Sequence, residues 1–141
     1  MVKERDKWYF AHPTHSRNKM RLWQKDIELK TNIKLLNPFF DQKEPEFVFR
    51  EGTEYYHSKK NKKIVSDDLK YLKKCKGIIA VINSKKTIGT HMEIMCAYIL
   101  KKPIYIICTT KWISHPWLQA MATKIFSSLK EFEEFIKNHE N

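Results

Sequence analysis

The 141-residue sequence contains no apolar run that approaches the roughly 20 residues needed to cross a membrane. Its first seven residues are mostly charged and lead into no apolar segment of the kind that a secretory signal requires. These absences argue against a membrane protein and against a secreted one. We therefore expect a soluble, cytoplasmic protein.

Cysteine is scarce as well, with an odd count of three: Cys75, Cys96 and Cys108. They are widely spaced among apolar neighbours, which favours reduced core thiols over a disulfide framework or a zinc site. Of the six histidines, only His12 and His15 lie as close together as metal ligands do. The sequence therefore predicts neither a metal site nor a cofactor.

Acidic residues are outnumbered by 27 to 16, which gives a net charge of +11. The excess predicts attraction to phosphate, on either a nucleotide or a polymer. Many lysines fall in solvated stretches, such as residues 59–63, where solubility explains them. Because no basic run is interleaved with stacking aromatics, nucleic acid is the disfavoured partner.

The length and a hydrophobic content of 42% fit one compact domain covering residues 1–141. Hydrophobic periodicity predicts alternating strands and helices along the chain. The strands are expected at 7–11, 33–36, 77–82, 104–108 and 124–126, and the helices at 16–31, 64–74, 93–100, 117–122 and 128–138. A long polar and aromatic loop is expected over residues 40–63.

Two of these strands, 77–82 and 104–108, are apolar without alternation, as are central parallel strands covered on both faces. The pattern predicts an α/β fold, namely a flavodoxin-like or Rossmann-like three-layer sandwich with a five-stranded parallel sheet of order 2-1-3-4-5. Its first helix is expected to bury Met20, Trp23, Ile27 and Leu22. Ligands would bind between the first and third strands.

The segment from Thr87 to Ile94 follows the third strand and carries one glycine and one carboxylate, Gly89 and Glu93. We expect Glu93 in the first turn of the next helix, where the helix dipole favours its ionised form. Gly89 would let backbone approach a phosphate beside the free N–H groups of the helix start. Alternatively, Glu93 merely complements the helix dipole.

Four stretches of the sequence together resemble a known family. They are Trp8-Tyr9-Phe10-Ala11 with Ser16-Arg17, then Asp68-Leu69-Lys70-Tyr71-Leu72, then Gly89 with Glu93 and Ala97, and then Leu118-Gln119-Ala120-Met121. This pattern is similar to the nucleoside 2-deoxyribosyltransferase superfamily over most of the chain except residues 40–63. The superfamily includes transferases acting on nucleosides and N-hydrolases or N-glycosidases acting on nucleoside 5′-monophosphates.

Two positions bear on which branch the chain resembles. Transferases commonly have an aspartate six positions before the nucleophilic glutamate, whereas this chain has Thr87 there. The 2′-deoxynucleoside 5′-phosphate N-hydrolases have a small hydroxyl residue at that point, which binds the 5′-phosphate. Their late Leu-Ser-Ala-Met segment has Gln119 in place of its serine here, which puts phosphate binding from that segment in question.

The resemblance implies catalytic roles that the chemistry of N-glycosidic bonds also requires. Positive charge develops on the anomeric carbon, so a carboxylate such as Glu93 can act as nucleophile. Asp68 would move protons to the base and from water. Tyr9 would orient Glu93. The alternative for Asp68 is an N-terminal helix residue without a chemical task, and the alternative for Tyr9 is a core aromatic residue whose hydroxyl reaches the surface.

A phosphate site is predicted where the first helix begins and where the Glu93 helix begins. Ser16 and Arg17 would bind phosphate from one side, since a guanidinium and free helix N–H groups suit an anion. Taken singly, such residues are ordinary caps, turn residues or solvated side chains. The further predicted contacts are Thr87, Gly89, Thr90, His12, Gln119 and Met121, with His15 and His91 also near the crevice.

The sequence thus predicts an N-glycosidase that hydrolyses the base–sugar bond of nucleoside 5′-monophosphates, preferably deoxyribonucleotides, through a glutamate nucleophile. One alternative is a nucleoside 2-deoxyribosyltransferase that exchanges bases, and another is a non-catalytic nucleotide-binding protein that senses or sequesters its ligand. In the superfamily the late segment resembles one that reaches into a neighbouring subunit's site. A homodimer or larger homo-oligomer is therefore implied by analogy.

Overall fold

A computed structural model of the chain describes residues 2–41 and 58–139, and for residues 58–60 only the main chain. Short 3-10 turns at Glu4–Asp6, Thr14–Ser16 and Lys111–Ser114 supplement the helices and strands. In chain order these are β1 (Trp8–Ala11), α1 (Arg17–Lys30), β2 (Leu35–Leu36), α2 (Ser58–Lys74), β3 (Gly77–Ile82), α3 (Ile88–Ile99), β4 (Ile104–Cys108), α4 (Pro116–Met121), β5 (Lys124–Phe126) and α5 (Leu129–His139).

The five strands form one parallel sheet in the order β2-β1-β3-β4-β5, which confirms the predicted topology. All six residues of β3 are buried, as expected for a strand covered on both faces. In the register of β1 and β3, Tyr9 aligns with Ile78 and Ala11 with Ala80. The carboxyl ends of β1 and β3 therefore lie side by side at the switch point of the sheet.

Two hydrophobic layers enclose the sheet, because successive side chains of a strand point to opposite faces. Tyr9 and Ala11 face the layer that contains buried residues of α2, α3 and α4. Trp8 and Phe10 face the layer built by α1 and α5, which is rich in aromatic rings. This arrangement confirms the α/β three-layer architecture and puts α2 and α3 together on the Tyr9 face.

Two helices begin earlier than the sequence predicts. Helix α2 starts at Ser58 rather than at residue 64, so only residues 42–57 of the predicted 40–63 loop lie outside the described residues. Helix α3 starts at Ile88 rather than at Glu93. In both places the first turns lack a regular apolar stripe, and glycine and threonine disfavour a helix intrinsically, so periodicity alone missed them.

One predicted core residue is wrong. Leu22 is 74% exposed, because α1 buries Met20, Gln24 and Ile27 on one face and Leu22 points to the other.

At the other end of the chain, the Glu131 N–H donates to Ser128 Oγ over 3.1 Å, as a helix cap should. The Glu131 carboxylate, however, accepts from the N–H of Ser127 rather than of Ser128.

Among the described residues, no helix combines the length and the apolar character required to cross a membrane. Cys75, Cys96 and Cys108 form no disulfide with one another, and Cys75 and Cys108 are buried. Burial raises the pKa of the Cys75 thiol to about 12. That cysteine therefore carries its proton at neutral pH and contributes to the core as a small apolar residue.

Candidate active site

The described residues bring Tyr9 and Glu93 into direct contact, although they are far apart in the sequence. Tyr9 is fully buried in β1, and its hydroxyl donates a hydrogen bond to Oε2 of Glu93 in α3. The parallel register sets β1 beside β3, and α3 crosses back over the Tyr9 face of the sheet. The predicted contact between these two side chains is therefore confirmed.

Glu93 lies in the second turn of α3, not in the first as predicted, because the helix begins at Ile88. The favourable field of a helix start is confined to the first turn, so it contributes little here. Burial and, to a smaller extent, the negative charge of Asp68 raise the pKa of the Glu93 carboxyl, the Tyr9 hydrogen bond lowers it, and the net result is a pKa of about 8. The expectation of an ionised Glu93 was therefore wrong for neutral pH.

Asp68 is the second acidic group of this site. It lies in the middle of α2, so the alternative interpretation as a residue of the helix start is removed. Its charge acts on Glu93, which requires the two carboxyl groups to lie near each other. The neighbouring Asp67 instead forms an exposed ion pair with Lys63, over 2.8 Å. Of the two adjacent aspartates, Asp68 is the one whose charge raises the pKa of Glu93.

Ser16 and Arg17 stand after the carboxyl end of β1, at the edge of the sheet where α3 also begins. Ser16 is buried, and its hydroxyl donates to the Pro13 carbonyl over 3.3 Å rather than capping α1. Arg17 Nη1 donates to the Thr14 carbonyl over 3.0 Å. Both hydrogen bonds stabilise the connection between β1 and α1. That Ser16 and Arg17 bind the same ligand as Glu93 stays a prediction.

The start of α3 presents three of the predicted phosphate contacts. Thr87 and Thr90 are buried, and Thr87 is the residue that precedes the helix. Gly89 is exposed, and a methyl group built on it would meet no described residue within 4 Å. No part of the described chain therefore requires glycine at this position or occupies the space in front of its Cα atom.

His12 is 3% exposed and follows the last residue of β1. Its ring packs between Phe10 and Phe39, with centroid distances of 5.0 and 4.9 Å. Burial lowers the pKa of His12, which keeps the ring neutral at pH 7, while its Nδ1 contacts the Pro13 carbonyl at 3.2 Å. Its Nε2 has no hydrogen-bond partner in the part of the chain that the structure describes.

Asn83 is a candidate that the sequence did not single out. It follows β3 directly, as His12 follows β1, and its Oδ1 likewise lacks a partner among the described residues. Buried polar atoms normally find hydrogen-bond partners. Two such atoms therefore follow adjacent strands at the carboxyl edge of the sheet, where the described residues leave them without partners. The sequence feature that could have identified Asn83 is its position as a polar residue directly after a buried strand.

Gln119 and Met121 make contacts of their own within the chain, and their predicted part in the Glu93 site stays a prediction. The Gln119 side-chain amide donates to the Ile113 carbonyl over 2.6 Å. Met121 lines a depression of about 560 Å³ at the opposite, amino edge of the sheet, together with Tyr98, Ile99, Lys101, Lys102, Ala122 and Thr123. Helix α3 ends at that edge, whereas Glu93 is nearer its beginning, so Met121 and Glu93 lie towards opposite ends of this helix.

Over the residues that the structure describes, no three His, Cys, Asp or Glu side chains cluster as metal ligands do. Asp68 and Glu93 act on each other as a pair of acidic groups, since the charge of Asp68 raises the pKa of Glu93. Two carboxyl groups that share a site titrate together, and the first proton to be lost leaves one proton on the pair. Such a pair can supply a carboxylate and a carboxylic acid at the same time.

The chain is similar to known proteins in its structure but not in its sequence. No protein-family model and no curated protein matches the sequence. A 2-deoxyribosyltransferase from Bacillus psychrosaccharolyticus matches with a TM-score of 0.69 and 18% identity, over 90% of this chain and 90% of its own. A 2-desoxiribosyltransferase from Leishmania mexicana matches with a TM-score of 0.57 and 16% identity, over 95% of this chain and 99% of its own.

A third solved structure is the CMP N-glycosidase BcmB of Clostridium botulinum, with a TM-score of 0.56 and 17% identity, over 94% of this chain and 99% of its own. All three proteins share their fold with nearly the whole chain. At these identities the likeness shows the fold alone, so activity has to be argued from this chain's own residues.

Proposed function

We propose, on the fold shared with 2-deoxyribosyltransferases and a CMP N-glycosidase, that the chain is an N-glycosidase of nucleoside 5′-monophosphates, preferably deoxyribonucleotides. The contact between Tyr9 and Glu93, with Asp68 beside it, carries the proposal. A carboxyl group held by a tyrosine at the switch point of a parallel sheet, next to a second carboxyl group, suits cleavage of a glycosidic bond.

The reaction divides into two steps. The Glu93 carboxylate bonds to the anomeric carbon while the carbon–nitrogen bond breaks, and the departing base takes the bonding electrons and a proton from Asp68. Water then attacks the same carbon, gives its proton to Asp68, and releases Glu93 as a carboxylate. The products are a free base and a sugar 5-phosphate.

The raised pKa of Glu93 sets the order of proton movements. At pH 7 a carboxyl group with a pKa of about 8 is mostly protonated and cannot attack. Transfer of that proton to Asp68 would produce the nucleophile and the general acid together. Tyr9 stabilises the ionised form of Glu93, because its hydroxyl donates to the carboxylate.

Recognition of a 5′-phosphate is supported by the start of α3 and by the basic character of the chain. Thr87 stands where an aspartate of the transferases would repel a phosphate, and the open space at Gly89 admits one beside the helix N–H groups. Ser16 and Arg17 stand at the same edge of the sheet. The net charge of +11 attracts an anionic substrate.

A panel of deoxyribonucleotides and ribonucleotides, each incubated with pure protein and analysed for released base by chromatography, tests the proposal. We expect release from at least one monophosphate, and Glu93→Gln to reduce it at least about 1000-fold, because the nucleophile is removed. Glu134→Gln is the matched control, since Glu134 is exposed on α5. Base release by Glu93→Gln at the wild-type rate would contradict the assigned nucleophile.

The second candidate is a nucleoside 2-deoxyribosyltransferase, which the likeness to the Bacillus enzyme favours. A transferase would move the sugar to an added second base and would be indifferent to a 5′-phosphate. The non-catalytic alternative predicts stoichiometric nucleotide binding with the nucleotide recovered intact. In that case Glu93→Gln would change affinity alone.

We further propose that the chain forms a homodimer or larger homo-oligomer through α3 and α4. These two helices contain no lysine or arginine, although the chain has 27 such residues. Large exposed apolar side chains lie on them, including Ile88, Met92, Ile99 and Trp117. Two copies with a net charge of +11 each repel less across helices without lysine or arginine, and exposed apolar side chains of this kind mark contact sites.

A further inference from the structure

The side chain of Thr87 does not cap the helix that it precedes. A threonine at this position ordinarily accepts a hydrogen bond from the N–H of the second or third helical residue, but here no such bond is formed. Its Oγ1 lies instead 2.8 Å from Nδ1 of His91, one turn along α3. The first N–H groups of α3, which have no partner within the helix, thus have no side-chain acceptor from Thr87.

The same contact identifies the ring nitrogen that carries the proton. Nδ1 of His91 also lies 2.7 Å from the carbonyl oxygen of Thr87, an atom that can only accept. Two acceptors at that distance would repel each other, so Nδ1 bears a hydrogen, which it shares between the carbonyl and hydroxyl oxygens of Thr87. The Thr87 hydroxyl then accepts from the ring, and its own proton can be donated to another group.

We propose that His91 is a positioning residue of the phosphate subsite, which holds the Thr87 hydroxyl away from the cap of α3. Both the Thr87 proton and the first N–H groups of the helix are then presented to a phosphate group. Without the ring, Thr87 is expected to turn and cap its own helix, in competition with the ligand. The inference rests on the proposed function, because it concerns the phosphate of that substrate.

Three substitutions separate this role from a direct contact with the ligand. In His91→Asn the side-chain amide lies where Nδ1 lies in the histidine, whereas in His91→Gln it reaches the position of Nε2. His91→Ala removes both. His139→Ala is the matched control, because the His139 ring also contacts the carbonyl four residues earlier in its helix, at 2.8 Å, but on α5.

The probes are inorganic phosphate and 2-deoxyribose 5-phosphate, titrated by calorimetry, so that the result depends on neither the base nor bond cleavage. We expect His91→Ala and His91→Gln to raise Kd about tenfold, the effect of one lost hydrogen bond to a charged group. His91→Asn should stay within about threefold of the wild type, and His139→Ala should match it. With an active nucleotide, the weaker variants should raise KM and leave kcat nearly unchanged.

Wild-type affinity in His91→Ala would overturn the proposal, as would binding restored by glutamine but not by asparagine, or a wild type that binds neither probe. If circular dichroism shows that His91→Ala does not fold, the phosphate affinities of His91→Asn and His91→Gln test the proposal instead. Phosphate binding without release of base from any nucleotide would contradict the proposed function alone. If base is released but the His91 variants bind the phosphate probes as tightly as the wild type does, this inference alone is contradicted.

Discussion

At the scale of single residues, Glu93 couples proton binding to stability. Its pKa in the folded chain, about 8, exceeds the ordinary value of 4.5, so between these pH values the folded state holds a proton that the unfolded state has lost. The free energy of unfolding therefore falls as pH rises through this window. The contribution is fully present below about pH 4.5 and is lost by about pH 8.

Glu93→Gln should remove this dependence, because glutamine does not titrate. We expect the variant to gain on the order of 1–3 kcal/mol over the wild type between pH 5 and pH 8, a figure reduced for the partial exposure of Glu93. Denaturant unfolding at several pH values measures it, with Glu134→Gln as control. Parallel curves for Glu93→Gln and the wild type would show that Glu93 has no raised pKa.

The hydroxyl of Tyr9 should appear in the pH profile of the reaction. Tyr9→Phe removes the hydrogen bond that lowers the pKa of Glu93, so that pKa should rise further. We expect the ascending limb of kcat/KM to move to higher pH, with activity at pH 7 reduced about threefold to tenfold. An unshifted limb with uniformly lower activity would instead indicate that Tyr9 acts by packing alone.

The contact of Tyr9 with Glu93 was predictable from the sequence, whereas the protonation of Glu93 was not. Alternation along β1 and the order of the strands suffice to bring position 9 towards α3. The pKa depends on burial and on the distance to Asp68, which no sequence pattern encodes. The bond of Arg17 to the Thr14 carbonyl is similarly a matter of side-chain rotamer rather than of pattern.

At the scale of elements, α3 carries a glycine that its own packing does not require. Gly89→Ala should stabilise the chain by about 0.5–1 kcal/mol, because alanine favours the helix and its methyl group meets nothing within 4 Å. If a phosphate approaches that backbone, the same methyl group should weaken binding of 2-deoxyribose 5-phosphate more than tenfold. Calorimetry and denaturant unfolding measure the two effects.

Ser66→Ala is the control for Gly89→Ala, since Ser66 is exposed in α2 and its replacement also raises helix propensity. It should be stabilising without an effect on phosphate binding. If Gly89→Ala binds the sugar phosphate as tightly as the wild type, the phosphate does not approach this backbone. The resemblance-based role of Gly89 would then be wrong.

The boundaries of α2 and α3 were less predictable than their existence. Both helices have clear apolar periodicity in their later turns, where Leu72, Ile94 and Ala97 are buried. Their first turns are polar or contain glycine and threonine, and tertiary context decides whether such residues continue a helix. The five-residue error at the start of α3 removed the helix-dipole argument for an ionised Glu93, since that residue lies beyond the first turn.

At the scale of the whole molecule, the surface of α3 and α4 should determine the oligomeric state. Ile99→Lys puts a charge on this surface, where Ile99 is 70% exposed, and should weaken self-association at least about tenfold because a buried lysine lacks a partner. Leu29→Lys is the matched control, as Leu29 is 88% exposed on α1, in the opposite layer. Sedimentation velocity over a range of concentrations measures both.

A wild type that stays monomeric at every concentration would contradict the proposed assembly, as would equal effects of the two lysine variants.

The sheet order was predictable because alternating strands and helices leave few topologies. The position of Met121 was not, because the resemblance describes a segment that acts in a neighbouring copy. A single chain holds Met121 at the amino edge, next to Tyr98 and Ile99.

Two of the four tryptophans lie on each side of the sheet, so tryptophan fluorescence can report on the two sides separately. Trp8 and Trp23 pack in the aromatic layer of α1 and α5, where their fluorescence should stay constant until the chain unfolds. Trp112 is exposed just before α4, and Trp117 is exposed on α4. A blue shift of emission on concentrating the protein should therefore arise from these two indoles, and Trp117→Phe should diminish it while leaving the unfolding signal intact.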